Sequence, residues 1–93
     1  MSGREALVGR VIELAAEVRR CAETHHVRSD ARDILAYEAA DLDAVAEALR
    51  NDLAEGWPQS TLLGPWGRSV HGQVGDALVE RVRALWRAVE TSR

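Results

Sequence analysis

Glu38 is the side chain in this 93-residue chain best placed to do chemistry, because helical spacing sets it in the middle of an apolar arc, between Leu35 and Leu42. A carboxylate in that position needs a partner, since taking an ionised group out of water without compensation is costly. Counting about 1.5 Å per residue back from each turn of an up-down-up bundle brings Glu38 level with Arg19 or Arg20 of the first helix and near Arg81 of the last. Two kinds of site are open to it. One is a partly buried polar cluster of Glu38, Arg81 and Arg19 in which the Glu38–Arg81 ion pair fixes helix register. The other is a small anion or acid/base site, which needs a further catalytic group that the sequence does not clearly supply.

The remaining reactive side chains are sparse. His25, His26 and His71 all fall on apolar arcs, and Glu23 and His26 stand at the Glu-x-x-His spacing that supplies ligands from two helices in carboxylate-bridged di-iron bundles. Here the spacing occurs once, at a helix end, and His71 falls at the opposite end of the bundle. Glu23 and His26 are therefore the metal candidates of a chain for which no metal and no cofactor are expected. A single cysteine, Cys21, cannot close an internal disulfide and reads as packing on a helix face. Neither a Gly-rich phosphate loop after a strand nor a Cys/His or Ser/His/Asp constellation is present, so catalysis is not expected.

Three helices must position these groups. Ser2 and Glu5 have capping-box spacing, and Leu7, Val11, Leu14, Val18, Cys21 and His25 recur at steps of four and three, widened by Val8, Ile12, Ala15 and Ala22; the first helix is predicted over 4–26. Ser29 or Asp30 can cap the second, whose face carries Leu35, Leu42, Val45, Leu49 and Leu53; Gly56 and Pro58 end it, giving 31–55. Pro65 suits a first helical position, and Val70, Val74, Leu78, Val82, Leu85 and Val89 extend a third helix over 66–90, its first half weakened by Gly67, Gly72 and Gly75 into an irregular start. The fold class is all-α: a three-helix, mainly antiparallel bundle making one domain, 1–93. Its apolar stripes are wider than three slim helices cover, which predicts completion by a homodimer, through the first two helices, or by a helical partner.

Between the second and third helices, Gly56-Trp57-Pro58 and Gly64-Pro65-Trp66-Gly67 bracket a segment that carries Trp57, Leu62, Leu63 and Trp66. That is too much apolar surface to leave in water on a monomer. Either the four side chains fold back as a plug on the open end of the bundle, or at least one tryptophan anchors a partner, as tryptophans often do in interfaces.

Two short resemblances bear on function. Glu38-Ala-Ala-Asp41 resembles the Glu-x-x-Asp half of the magnesium site in all-α nucleotide pyrophosphohydrolases, which implies a metal-dependent enzyme using Glu38 and Asp41. The other half, from Glu13 and Glu17, has a spacing of four rather than three and points away from the core. Trp66-Gly67 in a short, alanine-rich helical chain resembles the Trp-x-Gly hairpin proteins of type VII secretion, which would imply export and dimerisation, although here the glycine follows directly and the turn lies past mid-chain.

Composition narrows the classes further. All twelve basic residues are arginine, a mark of GC-rich, bacterial coding, and the net charge of -3, with acids interleaved among them, leaves no cationic track for nucleic acid. No stretch of about 18 apolar residues marks a membrane span, and the start lacks the pattern of a cleaved signal, so the chain is expected in the cytoplasm. The function expected is that of a small non-catalytic interaction or adaptor module, with regulation as one role open to it, that binds a protein partner or a second copy through Trp57, Leu62, Leu63 and Trp66 or through the remaining apolar face.

Overall fold

Apolar residues at steps of three and four produce the first long helix, α1 (Gly3–Ala22), which buries Leu7, Val8, Val11, Leu14, Ala15, Val18 and Ala22. The chain is described by a computed structural model over residues 3–24, 28–52 and 55–92. Within it α2 (Ser29–Arg50) buries a row at the same spacing, Ala31, Leu35, Glu38, Leu42, Val45 and Leu49. A 3-10 turn (Arg68–Val70) leads into α3 (His71–Val74), a single turn, and then α4 (Asp76–Ser92), which buries Leu78, Val79, Val82, Leu85, Trp86 and Val89. The described residues are all-helical, without strands.

Helix ends differ from expectation for local reasons. The cap position of α2 is Arg28 rather than Ser29 or Asp30, and Asp30 instead accepts from the amide of Ala31 at 2.9 Å, within the first turn where its charge suits the helix dipole. At the other end Asn51 closes the last turn onto Glu47 at 3.0 Å and Asp52 takes the left-handed conformation, φ 52°. The helix therefore stops five residues before the expected end, and Gly56 lies out in the connection. Gly75, at φ 98° and ψ 140°, separates α3 from α4 and gives the irregular start that the glycines foretell. The Ser2 half of the capping box, together with His25, His26 and Leu53, lies outside the described residues.

The topology is not up-down-up. Ion pairs between Arg4 and Asp52 (2.9 Å) and between Arg19 and Asp43 run α1 and α2 antiparallel. Arg81 pairs with Glu17, while Gly3 and Leu7 share a cleft with Ala88 and Ser92, so α4 is also antiparallel to α1. It follows that α4 is parallel to α2, and the amide of Arg28 bonding Gln73 Oε1 at 3.3 Å places their N-terminal ends together. Parallel neighbours cannot be joined by a tight turn. The connection after α2 must travel back along the bundle, and it does so between α2 and α4.

That return path takes the place of a fourth helix. Its backbone climbs in three successive i to i+3 turns, Gly64 to Thr61 (3.2 Å), Gly67 to Gly64 (3.1 Å) and Val70 to Gly67 (3.1 Å), and it drives Leu62 and Val70 into the core beside Leu35 and Leu42. The extra width of the stripes, which had implied a dimer, is covered within the chain: of the large apolar side chains described, only Ile12, Tyr37 and Trp66 are exposed. Ile12, expected on the second row of α1, faces out at 40% exposure.

Gly67 sits so close to Leu62 that a Cβ on it would fall 2.5 Å from the Leu62 Cα and closer still to its carbonyl. Backbone cannot yield as a side-chain tip can. Gly67→Ala is expected to cost about 1–3 kcal/mol in urea unfolding, the range of overpacking that moves main chain. Gly72→Ala, where a Cβ meets nothing within 4 Å in a helical turn, should be neutral or stabilise by about 0.5–1 kcal/mol.

Candidate functional site

Along α2 the carboxylates of Glu38 and Asp41 lie one turn apart and both reach across to the return connection. Glu38 Oε1 accepts from the amide of Leu62 at 2.8 Å and from the hydroxyl of Ser60, and its Oε2 accepts from the Trp86 indole N–H at 2.9 Å. Asp41 Oδ2 accepts from the amide and the hydroxyl of Thr61, at 2.9 and 2.5 Å. Ser60 Oγ in turn accepts from the amide of Leu63 at 3.2 Å. The first amides of a helical turn have no partner inside it, and here two side chains from another helix, with Ser60, supply the acceptors.

Leu62 is held from three sides. Its side chain is in the core, its amide is on Glu38, and its carbonyl accepts from His71 at 2.7 Å. A carbonyl can only accept, so His71 Nε2 carries the proton. His71 is thereby tied to the return connection, and among the described residues it belongs to no metal cluster. Glu23 is exposed and His26 lies outside the described residues; among the described residues no three His, Cys, Asp or Glu side chains are grouped to hold a metal ion.

The expected cluster of Glu38 with Arg81 and Arg19 does not form. Arg81 makes a two-pronged pair with Glu17 across the α1–α4 groove, one arm at 2.7 Å, and Arg19 pairs with Asp43 at the surface. The physical reason is the direction of α4. Up-down-up counting brought Arg81 level with Glu38, whereas in the parallel arrangement Trp86 is level with it. Glu38 is a fully buried carboxylate neutralised by no arginine among the described residues and satisfied by three neutral donors. No buried side-chain nitrogen or oxygen among those residues lacks a partner.

Burial therefore raises the Glu38 pKa. The bonds from Ser60, Leu62 and Trp86 oppose that rise, and the neighbouring Asp41 charge adds to it. Glu17, by contrast, is drawn below the usual carboxylate range by its hydrogen bonds from Arg81. Because both Glu38 oxygens and Asp41 Oδ2 are occupied by chain amides, hydroxyls and an indole, the pair is not arranged as the open half of a magnesium site. Glu13 and Glu17 line the α1–α4 groove and do not meet them.

The four expected partner-binding residues divide. Leu62 is buried and cannot touch a partner. Trp57 and Leu63 are half-buried and form walls of a cleft of about 420 Å³ with Pro58, Ser60, Trp86 and Glu90. Trp66 alone projects, at 81% exposure. Nor is the segment a plug on the end of the bundle, since it runs along its side. Trp86 and Ser60 were not singled out by the sequence. Trp86 had a signal, lying four residues after Val82 and seven after Val79 on a second row of the α4 arc; Ser60 had none beyond its place in a turn-rich stretch.

Comparison with known proteins adds no relative from which a role could be transferred: no family model matches the chain, and no curated protein or solved structure matches it. The chemistry of the site has to stand alone. Glu38→Gln keeps the shape but sets an amide N–H2 against one of the donors, leaving it unpaired at about 1–3 kcal/mol. A folded-state pKa raised above the unfolded value of about 4.3 gives stability that is complete below that value and is lost as pH rises through the folded one. The penalty of Glu38→Gln, measured by urea unfolding, should thus be larger at pH 5 than at pH 8; a penalty that grows with pH would reverse the assignment.

Proposed function

We propose that the protein is a small non-catalytic interaction module of the cytoplasm that docks a protein partner through the indole of Trp66. The observation that carries this is the contrast between Trp66 and the segment bearing it. The flanking backbone is bonded turn by turn, Gly67 is pressed onto Leu62, and Leu62 is fixed by Glu38 and His71. The indole nonetheless stands in water. A large apolar side chain left exposed forgoes on the order of 2 kcal/mol of burial, and a tryptophan on a rigid support loses little entropy when it docks.

No helix among the described residues is long and apolar enough to cross a membrane. A second copy of the chain is one candidate partner, and another helical protein is the other. The occupied carboxylates count against the nucleotide-hydrolysing alternative. The place of Trp66-Gly67, on the flank of the bundle instead of the tip of a helical hairpin, counts against the secreted-hairpin alternative.

Trp66→Ala should change unfolding free energy by no more than about 0.5 kcal/mol, as for other exposed positions. In the isolated protein it should remove the red-shifted, readily quenched part of the tryptophan emission, leaving Trp57 and Trp86. A photo-crosslinking residue at position 66 in the host should yield a discrete adduct, with sedimentation telling a second copy from another protein. Binding of that partner should fall at least about tenfold in Trp66→Ala, equal to about 1.4 kcal/mol. An adduct partner bound equally well by Trp66→Ala would sink the proposal.

A further inference from the structure

The groove between α1 and α4 encloses about 550 Å³, with Leu14 and Leu85 at its base and Ala16 and Ala84 on its two sides. A second hollow, lined by Ala6, Leu7 and Ala88, continues it past Arg10 toward the start of α1. The Glu17–Arg81 pair bridges it. A groove bounded by two helices and apolar at its base accepts the ridge of a third.

The α1 edge of this groove carries charges in a definite order. Arg10, Glu13, Arg20 and Glu23 recur at helical steps and all are exposed, Glu23 staying within the helical bonding through its amide on the Arg19 carbonyl at 3.2 Å. Arg4, Arg19 and Glu17 are engaged inside the chain, with Asp52, Asp43 and Arg81, whereas these four are in no ion pair among the described residues. Their signs run plus, minus, plus, minus at spacings of three, seven and three. Read backwards, that order is its own opposite. Two copies of α1 laid antiparallel about a two-fold axis level with Ala16 and Glu17 set Arg10 against Glu23 and Glu13 against Arg20, each pair occurring on both sides of the axis. Other alignments lose this. A parallel pairing sets each charge beside its own copy, and sliding the antiparallel pair by three residues brings Arg10 onto Arg20 and Glu13 onto Glu17.

We infer that a second copy of this chain docks here, α1 against α1, each helix lying along the edge of the other's groove. Charge complementarity selects that occupant, since a copy necessarily carries the reversed order and an unrelated helix has no reason to. At the axis the side chain that meets the Glu17–Arg81 bridge is Ala16, small enough to pass over it. The contact goes beyond the docking at Trp66 and is independent of it, because the segment bearing that indole runs between α2 and α4.

Sedimentation equilibrium of the full chain should show a reversible dimer with a dissociation constant on the order of 10–100 μM, the weak end expected of a small polar contact, and added salt should weaken it. Glu13→Arg and Arg20→Glu, both at exposed positions, should keep the parent's helix content and unfolding midpoint. Each alone should self-associate at least about tenfold less well, because like charges then face each other on both sides of the axis. Mixed in equal amounts they should recover a heterodimer as tight as the parent's, since the two altered positions then face one another and so do the two native ones. Trp66→Ala should leave the dimer unchanged. A parent chain still monomeric at about 1 mM, or an equimolar mixture no more associated than its components, would overturn the α1 assignment. So would loss of the dimer in Trp66→Ala, which would move the second copy to the indole; failure of the α1 dimer with a separate partner still captured at position 66 would leave the Trp66 docking standing.

Discussion

The Glu38 carboxylate is where three parts of the chain that are far apart in sequence become one structure. Its two oxygens take the amide of Leu62 from the return connection, the hydroxyl of Ser60 beside it, and the indole of Trp86 from α4. A helix pair can be held by apolar packing alone, because its backbone is satisfied internally. A connection threaded along a core cannot, since each amide it buries must find an acceptor. Glu38 supplies that acceptor at the level where the connection is deepest, and Asp41 supplies the next one a turn away.

The choice of neutral donors over an arginine has physical consequences. An ion pair at this depth would have required a second desolvated charge, whereas three hydrogen bonds to a carboxylate are individually strong and demand no counter-ion. The balance is close. Burial still raises the carboxyl pKa despite the bonds, so the carboxylate form is held on less favourable terms than in water. The geometry is over-determined in return: the indole ring of Trp86, the turn at Thr61 and the packing of Leu62 cannot shift independently.

Much of this was legible in the sequence, and what was not has a common origin. The three long helices, the apolar rows on each, the anomaly of Glu38 and the irregular start near Gly72 and Gly75 all follow from local spacing. The partner of Glu38 does not, because it depends on the direction of α4. Direction is set by whether residues 51–75 turn back at once or run the length of the bundle, and their Gly and Pro residues punctuate either path. Arg81 and Arg19 followed from one assumed topology; Trp86 and Ser60 belong to the other. The early end of α2 was hidden in the same way, because Asp52 adopts a left-handed conformation that Gly56 seemed better suited to take.

The same over-determination separates the two faces of the connection. Inward, Leu62 is committed to the core and Gly67 to its backbone, and no substitution there leaves the fold untouched. Outward, Trp66 is 81% exposed, so residues only a few positions apart face the core and the solvent. A segment selected merely to close a small core would gain nothing from an indole in water. Under the proposed docking, the bonded turns beneath Trp66 would present that indole to a partner in one conformation instead of many.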